Sequence, residues 1–215
     1  WRCSNIHKSN WTNFSFYSEG GLKTIELCDD LRTNRQVAMA SLKIKGDKQK
    51  AEAFLKEAKL NAALQHPNIV PVYDVGIEGD APWFTMKFIQ GQSLEEIITT
   101  LKSNEHERFS DLNERLDIFV KICDAIAYAH ARGILHLDLK PDNIRISDFG
   151  DVVVCDWGLA DVIAATCDEK LLEYCDLNEY ELDMMTVDGA VKGTIGYMAP
   201  EQTSKTGFRK GKHTD

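Results

Sequence analysis

None of the six cysteines, at positions 3, 28, 123, 155, 167 and 175, forms a C-x-x-C pair. That spacing excludes the usual zinc sites and a disulfide framework, and it points to reduced thiols in a cytoplasmic domain. No apolar run approaches the ~20 residues that cross a bilayer, and no signal peptide is visible, so no membrane segment is expected. Basic charge is in deficit. Lys and Arg number 25 against 34 Asp and Glu, a net −9, which argues against nucleic acid as a partner. The acid is local, with eight Asp or Glu and one Lys between 168 and 188. The chain starts at Trp1 rather than Met and reads as an excised piece, with any anchor or sensor domain outside it. The sequons at Asn10-Trp-Thr and Asn13-Phe-Ser are expected to stay unmodified in a cytoplasmic protein. At 215 residues and 43% hydrophobic, the chain can bury one sizeable core or two smaller ones.

What is present centres on residues 136 to 158. His136, Asp138, Lys140 and Asn143 sit on one irregular loop. Ile144 to Ile146 and Val152 to Cys155 read as short strands parted by the turn-rich Ser147-Asp-Phe-Gly-Asp151, which makes a hairpin. A hairpin returns Asp156 to the side of Asp138 and Asn143. Two carboxylates, an amide and a lysine then converge, a set suited to holding Mg²⁺ on a polyphosphate while a carboxylate orients a hydroxyl.

These residues resemble the eukaryotic-type protein kinases. The family's H-R-D, four residues and Asn appear as His136-Leu137-Asp138 and Asn143. The resemblance implies Asp138 as catalytic base, Asn143 and Asp156 as magnesium ligands, and Lys140 as the lysine that steadies the transferred phosphate in serine/threonine kinases. A literal Asp148-Phe149-Gly150 falls in the hairpin turn, too early in the chain to reach the metal site. Gly193-Thr194 through Ala199-Pro200-Glu201 resembles the end of the activation segment, with Thr194 expected to contact Asp138. Leu137 replaces the family's Arg, which puts phosphate-driven switching in doubt. Arg145 stands where an apolar residue usually lies under adenine; weaker nucleotide binding and a cation–π contact are both open.

The first half reads as strands at Phe14 to Tyr17, Leu22 to Cys28, Gln36 to Ile44, Ile69 to Val75 and Trp83 to Phe88, with helices over 48–65 and 111–132. In the longer helix Leu112, Leu116, Phe119, Ile122, Ile126 and Ala129 are expected to form a core stripe. The Gly-rich phosphate loop keeps its middle glycine in Ser18-Glu-Gly20-Gly-Leu-Lys23-Thr-Ile25, where Gly20 and Gly21 let backbone N–H groups approach phosphate. Ala40 in Val37-Ala38-Met39-Ala40 replaces the family's phosphate-binding lysine, and Lys43 faces the wrong way to substitute. Lys23 stands at the third-glycine position, as in the with-no-lysine kinases. Either Lys23 with Glu57 restores the phosphate contact, or Lys23 is an exposed strand residue. Ile25, Ala38 and the stretch Met86-Lys87-Phe88-Ile89 are the implied adenine pocket and hinge, and Ser93 with Glu96 is a capping box.

The implied fold is α+β and bilobal: a lead-in segment (1–13), a five-stranded antiparallel N-lobe with one helix (14–90), and an incomplete, mainly helical C-lobe (91–215). The catalytic loop spans 136–143 and the activation segment 156–201. Truncation of the helical base is expected to expose apolar surface. The implied activity is ATP- and Mg²⁺-dependent phosphorylation of Ser or Thr in protein substrates. Ala40, the lost glycines and Arg145 keep a pseudokinase scaffold as the alternative. Oligomeric state is not legible.

Overall fold

The computed structural model describes residues 8–20, 22–44, 46–102, 109, 111–163, 193–203 and 210–215. The chain divides into two compact units, Trp1–Ala62 with Val70–Phe88, and Ala63–Ile69 with Ile89–Asp215. The first holds a five-stranded sheet of β1 (Trp11–Glu19), β2 (Lys23–Asp30), β3 (Arg35–Leu42), β4 (Val72–Glu78) and β5 (Ala81–Lys87). Their spatial order is β1-β2-β3-β5-β4, and every pairing is antiparallel. The central strand β3 is buried on both faces from Val37 to Ala40, which its small and apolar residues allow.

Strand alternation sorts that sheet into two layers. On one face Trp11, Cys28, Val37, Met39 and Trp83 form a cluster. The rings of Trp11 and Trp83 meet edge-on at 4.7 Å, and Gly76 leaves room for the Trp83 ring, since a Cβ there would come within 2.3 Å of it. On the other face Ala40, Leu42, Phe84 and Met86 pack with Phe54 and Ala58 of α1 (Lys48–Ala63). Asp47 starts α1 by accepting the Lys50 N–H on its carboxylate at 3.1 Å. Trp11 to Asn13, expected as lead-in, belong to β1, with Trp11 opposite Asp30 and only 4% exposed. Sequence reading missed this because a lone Trp in a polar stretch carries no period.

The second unit contains α2 (Leu94–Lys102), α3 (Leu112–Ala131), a short α4 (Pro200–Thr203), and two small sheets. One sheet pairs β6 (Gly91–Ser93), β8 (Ile144–Ser147) and β9 (Val152–Val154); the other pairs β7 (Ile134–Leu135) with β10 (Asp161–Val162). Ser93 and Glu96 do close the capping box of α2, at 2.6 and 3.1 Å. The expected stripe on α3 needs correction. Leu112, Leu116 and Phe119 are at least half exposed, together with Val120, whereas Ile118, Ala125, Ile126 and Ala129 are buried. The helix is apolar over two faces, and helical spacing alone merged them. Among the described residues no helix is long and apolar enough to cross a membrane. The acidic stretch 168–188 lies outside the described residues.

Candidate functional site

Functional side chains gather in one cluster within each unit. In the first unit, Lys23 on β2 pairs in register with Leu42, and Ile25 pairs with Ala40. Paired residues share a face, so Lys23, Ile25, Ala38, Ala40 and Met86 all project to the α1 side of the sheet. Lys23 Nζ lies 2.5 Å from Glu57 Oε1 of α1, with the two side chains only 17% and 10% exposed. The ammonium is thus on the face that carries Ala40, displaced by one strand. Lys43 goes elsewhere and pairs with Glu19 at 3.1 Å. Gly20 donates its N–H to the Lys23 carbonyl at 2.9 Å and closes the turn ahead of β2. Gly21 lies outside the described residues. Lys87 pairs opposite Val37 and so projects to the far face; Phe88 meets Tyr17 edge-on at 5.6 Å, and Ile89 is buried in the second unit.

In the second unit the loop between β7 and β8 carries Asp138, Lys140 and Asn143. The Asp138 carboxylate is heavily solvated by protein. Oδ1 accepts from the Thr194 N–H and from the Thr194 hydroxyl, both at 2.8 Å. Oδ2 lies 2.9 Å from Lys140 Nζ and accepts from Asn143 Nδ2 at 3.2 Å. Lys140 also donates to Thr194 Oγ1 at 2.6 Å. Burial alone pushes the Asp138 pKa up, but the Lys140 and Thr194 bonds outweigh it and hold the carboxyl below its ordinary range. Asp138 is therefore an ionised acceptor near neutral pH.

Asp156 returns to this loop through the expected hairpin. Ile144 pairs with Val154, and the Cys155 N–H donates to the Asn143 carbonyl at 2.8 Å, which sets Asp156 next in line. Its φ is +60°, a left-handed conformation that costs a non-glycine residue about 1 kcal/mol or more. Asn143 spends Nδ2 on the carbonyl and carboxylate of Asp138, which makes Oδ1 the oxygen it can offer a cation. One carboxylate and one amide oxygen are hard donors too few to cage an ion alone. This set fits Mg²⁺ held jointly with phosphate oxygens. Asp148-Phe149-Gly150 sits at the far turn, with Phe149 97% exposed. Arg145 is committed to the start of α2: Nη2 donates to the Gly91 carbonyl at 2.5 Å and Nη1 lies 3.7 Å from Glu96.

The loop itself is held by residues whose roles sequence reasoning missed. The Asp215 carboxylate accepts the N–H groups of His136 and Leu137, each at 2.7 Å, and lies 2.9 Å from His130 Nε2. Buried His136 donates through Nε2 to the Cys155 carbonyl at 3.1 Å and packs against Trp157, ring centroids 4.6 Å apart and tilted by 58°. Burial holds its pKa below the ordinary 6.5, so the ring stays neutral. Its Nδ1 accepts the Asp138 N–H at 3.3 Å. The Gln202 amide contacts both Leu137 and Ala199. Asp215 was legible as a chain position but not as an acceptor, and Gln202 gave no signal at all.

Comparison with known proteins identifies the family. The family described as protein kinase domain matches residues 17–215. The chain is 38% identical over 194 residues to the serine/threonine-protein kinase PknD of Protochlamydia amoebophila, covering 86% of this chain and 20% of that protein. It is 37% identical over 211 residues to PknD of Chlamydia trachomatis serovar D, covering 92% and 22%, and 36% identical over 206 residues to PknD of Chlamydia pneumoniae. The chain spans about a fifth of the length of these curated relatives. With a five-stranded antiparallel sheet, one helix on its face, and the loop from His136 to Asn143 in place, the chain belongs to the protein kinase family, in its eukaryotic-type serine/threonine branch.

Proposed function

We propose that the chain transfers the γ-phosphoryl group of ATP to Ser or Thr hydroxyls of protein substrates, with Mg²⁺. The carrying observation is the network on Asp138. A hydroxyl, that of Thr194, donates to this carboxylate at 2.8 Å while accepting from Lys140 Nζ at 2.6 Å. A substrate hydroxyl needs the same two partners: a carboxylate to take its proton and an ammonium beside the oxygen that gains the phosphoryl group. Asp138 orients the nucleophile and receives its proton as the new P–O bond forms and the bond to the ADP oxygen breaks. Lys140 offsets charge on the transferred group.

Asn143 Oδ1 and Asp156 would hold the metal. Mg²⁺, when bound, neutralises charge that develops on the phosphate oxygens. Lys23, kept in place by Glu57, binds the inner phosphates from β2 and replaces the lysine that Ala40 lacks; its ionic partner and its face of the sheet support this reading. Gly20 and Gly21 cover the phosphates, and Ile25, Ala38, Met86 and the backbone of Lys87, Phe88 and Ile89 receive adenine. Six cysteines without a C-x-x-C pair suit a cytoplasmic setting.

Incubation of the purified protein with Mg·ATP and a Ser/Thr-containing protein tests the reading. Phosphoserine or phosphothreonine should form, and Asp138→Asn should lower the rate about 100-fold or more. A well-folded parent with no transfer to any Ser or Thr would refute it.

A further inference from the structure

The catalytic loop makes an unusual backbone excursion one residue before Asp138. Leu137 has φ +62°, in the left-handed region, yet it is a bulky γ-branched residue and is 2% exposed. Such a conformation persists only where the surroundings over-determine it. The Leu137 N–H is held by Asp215 Oδ1 at 2.7 Å. Its carbonyl is held from a different part of the chain. Gln202, on α4 and 5% exposed, donates from Nε2 to the Leu137 oxygen at 2.8 Å, while its Oε1 accepts the Ala199 N–H at 3.0 Å. The two partners fix the amide orientation, because a carbonyl only accepts and an N–H only donates.

The Leu137 carbonyl belongs to the peptide unit that carries Asp138. That unit is pinned at its oxygen by Gln202 and at its N–H by His136 Nδ1, 3.3 Å away. Gly193 packs on the same spot: a Cβ there would lie 3.0 Å from the Leu137 oxygen and 3.2 Å from Gln202 Nε2. The next residue, Thr194, grips the Asp138 carboxylate. One buried amide thus joins the backbone under the base to the segment 193–199. The sequence offers no charge at Leu137 through which a phosphate might do this, and the amide bridge needs none.

Building on the phosphotransfer reading, we propose that Gln202 is a positioning residue, whose side-chain amide sets the peptide plane of Leu137 and thereby aims Asp138 and Thr194 at the substrate hydroxyl. Displacing a base by about 1 Å costs rate far more than it costs binding. Loss of the amide should therefore fall on kcat, with KM for ATP little changed.

The test compares Gln202→Met and Gln202→Glu with the parent in the intact protein. Gln202→Met fills similar volume and offers no donor, and kcat should fall about 10-fold to 100-fold. Gln202→Glu is the sharper probe. An ionised carboxylate faces the Leu137 oxygen unfavourably, so burial and that contact raise its pKa. Once protonated it becomes an O–H donor in the shape of the amide. The ratio of its kcat to that of the parent should climb as pH falls from 8 to 6, while the ratio for Gln202→Met stays flat. Hydrogen exchange of the peptide covering 136–143 gives an activity-independent arm, and both variants should speed exchange there at pH 8. A kcat for Gln202→Met within twofold of the parent, a flat Gln202→Glu ratio, or unchanged exchange would overturn the proposal. An inactive parent would instead sink the phosphotransfer reading, and the exchange arm would still decide the role of Gln202.

Discussion

Replacing Asp215 by Ala should destabilise the fold far more than loss of an ordinary carboxylate. The side chain is 1% exposed and accepts two backbone N–H groups at 2.7 Å, with His130 Nε2 at 2.9 Å. Without it, the N–H groups of His136 and Leu137 are stranded, and a stranded buried donor costs about 1–3 kcal/mol. The His130 contact adds about 1 kcal/mol at most, because that ring is part exposed. Relief of the carboxylate's own desolvation offsets some of this, which leaves about 3 kcal/mol. For a chain of this length each kcal/mol lowers Tm by about 2–4 °C, so the variant should melt about 10 °C below the parent. His130→Ala removes one contact of the three and should lose only about 3 °C. Differential scanning calorimetry on parent, Asp215→Ala and His130→Ala reads all three values. A loss under about 3 °C for Asp215→Ala, or equal losses for the two variants, refutes the claim that this carboxylate organises the loop.

Gly91→Ala should cost about 3 kcal/mol or more in urea unfolding, because Gly91 has φ +147° and a Cβ there would meet the Ile146 carbonyl at 2.1 Å. Buried His136 stays neutral while the unfolded chain gains a proton near pH 6.5, so stability is full above that value and falls as pH drops below it. Tm should decline from pH 7 to pH 5, and His136→Asn should decline less over the same interval. Asp148→Asn should leave phosphoryl transfer unchanged, since its turn lies at the far end of the hairpin. Asp156→Asn should lower transfer about 100-fold, with a raised Mg²⁺ requirement as the accompanying sign.

Much of this architecture was legible because local signals and spacing agree. The continuous apolar run Val37-Ala38-Met39-Ala40 reads as a strand, and strand alternation alone puts Lys43 on the wrong side. The hairpin from Ile144 to Val154 follows from two β-branched runs around a turn, and it carries Asp156 back to Asn143. Chain features without period escaped. Trp11 joins β1 through contacts with Cys28, Met39 and Trp83, all distant in sequence. On α3 the residues Leu112, Leu116 and Phe119 have helical spacing as good as that of Ile118, Ile126 and Ala129, and only tertiary contact tells the faces apart. Gln202 reaches a backbone carbonyl 65 residues away, and Asp215 reaches two backbone N–H groups 78 and 79 residues away. Composition and pattern carry no trace of such bonds.

The central claim is that a lysine on β2 performs the phosphate contact that β3 has lost. Its most direct test is the rate of Mg·ATP-dependent phosphorylation for the parent and for Lys23→Met, with circular dichroism and Tm confirming that both are folded. Lys23 Nζ lies 2.5 Å from Glu57, so Lys23→Met removes this ion pair and, on this account, the cation that meets the phosphates. The account predicts a fall of about 100-fold or more for Lys23→Met. Activity within a few-fold of the parent would contradict it and leave Lys23 a strand residue with an ionic partner.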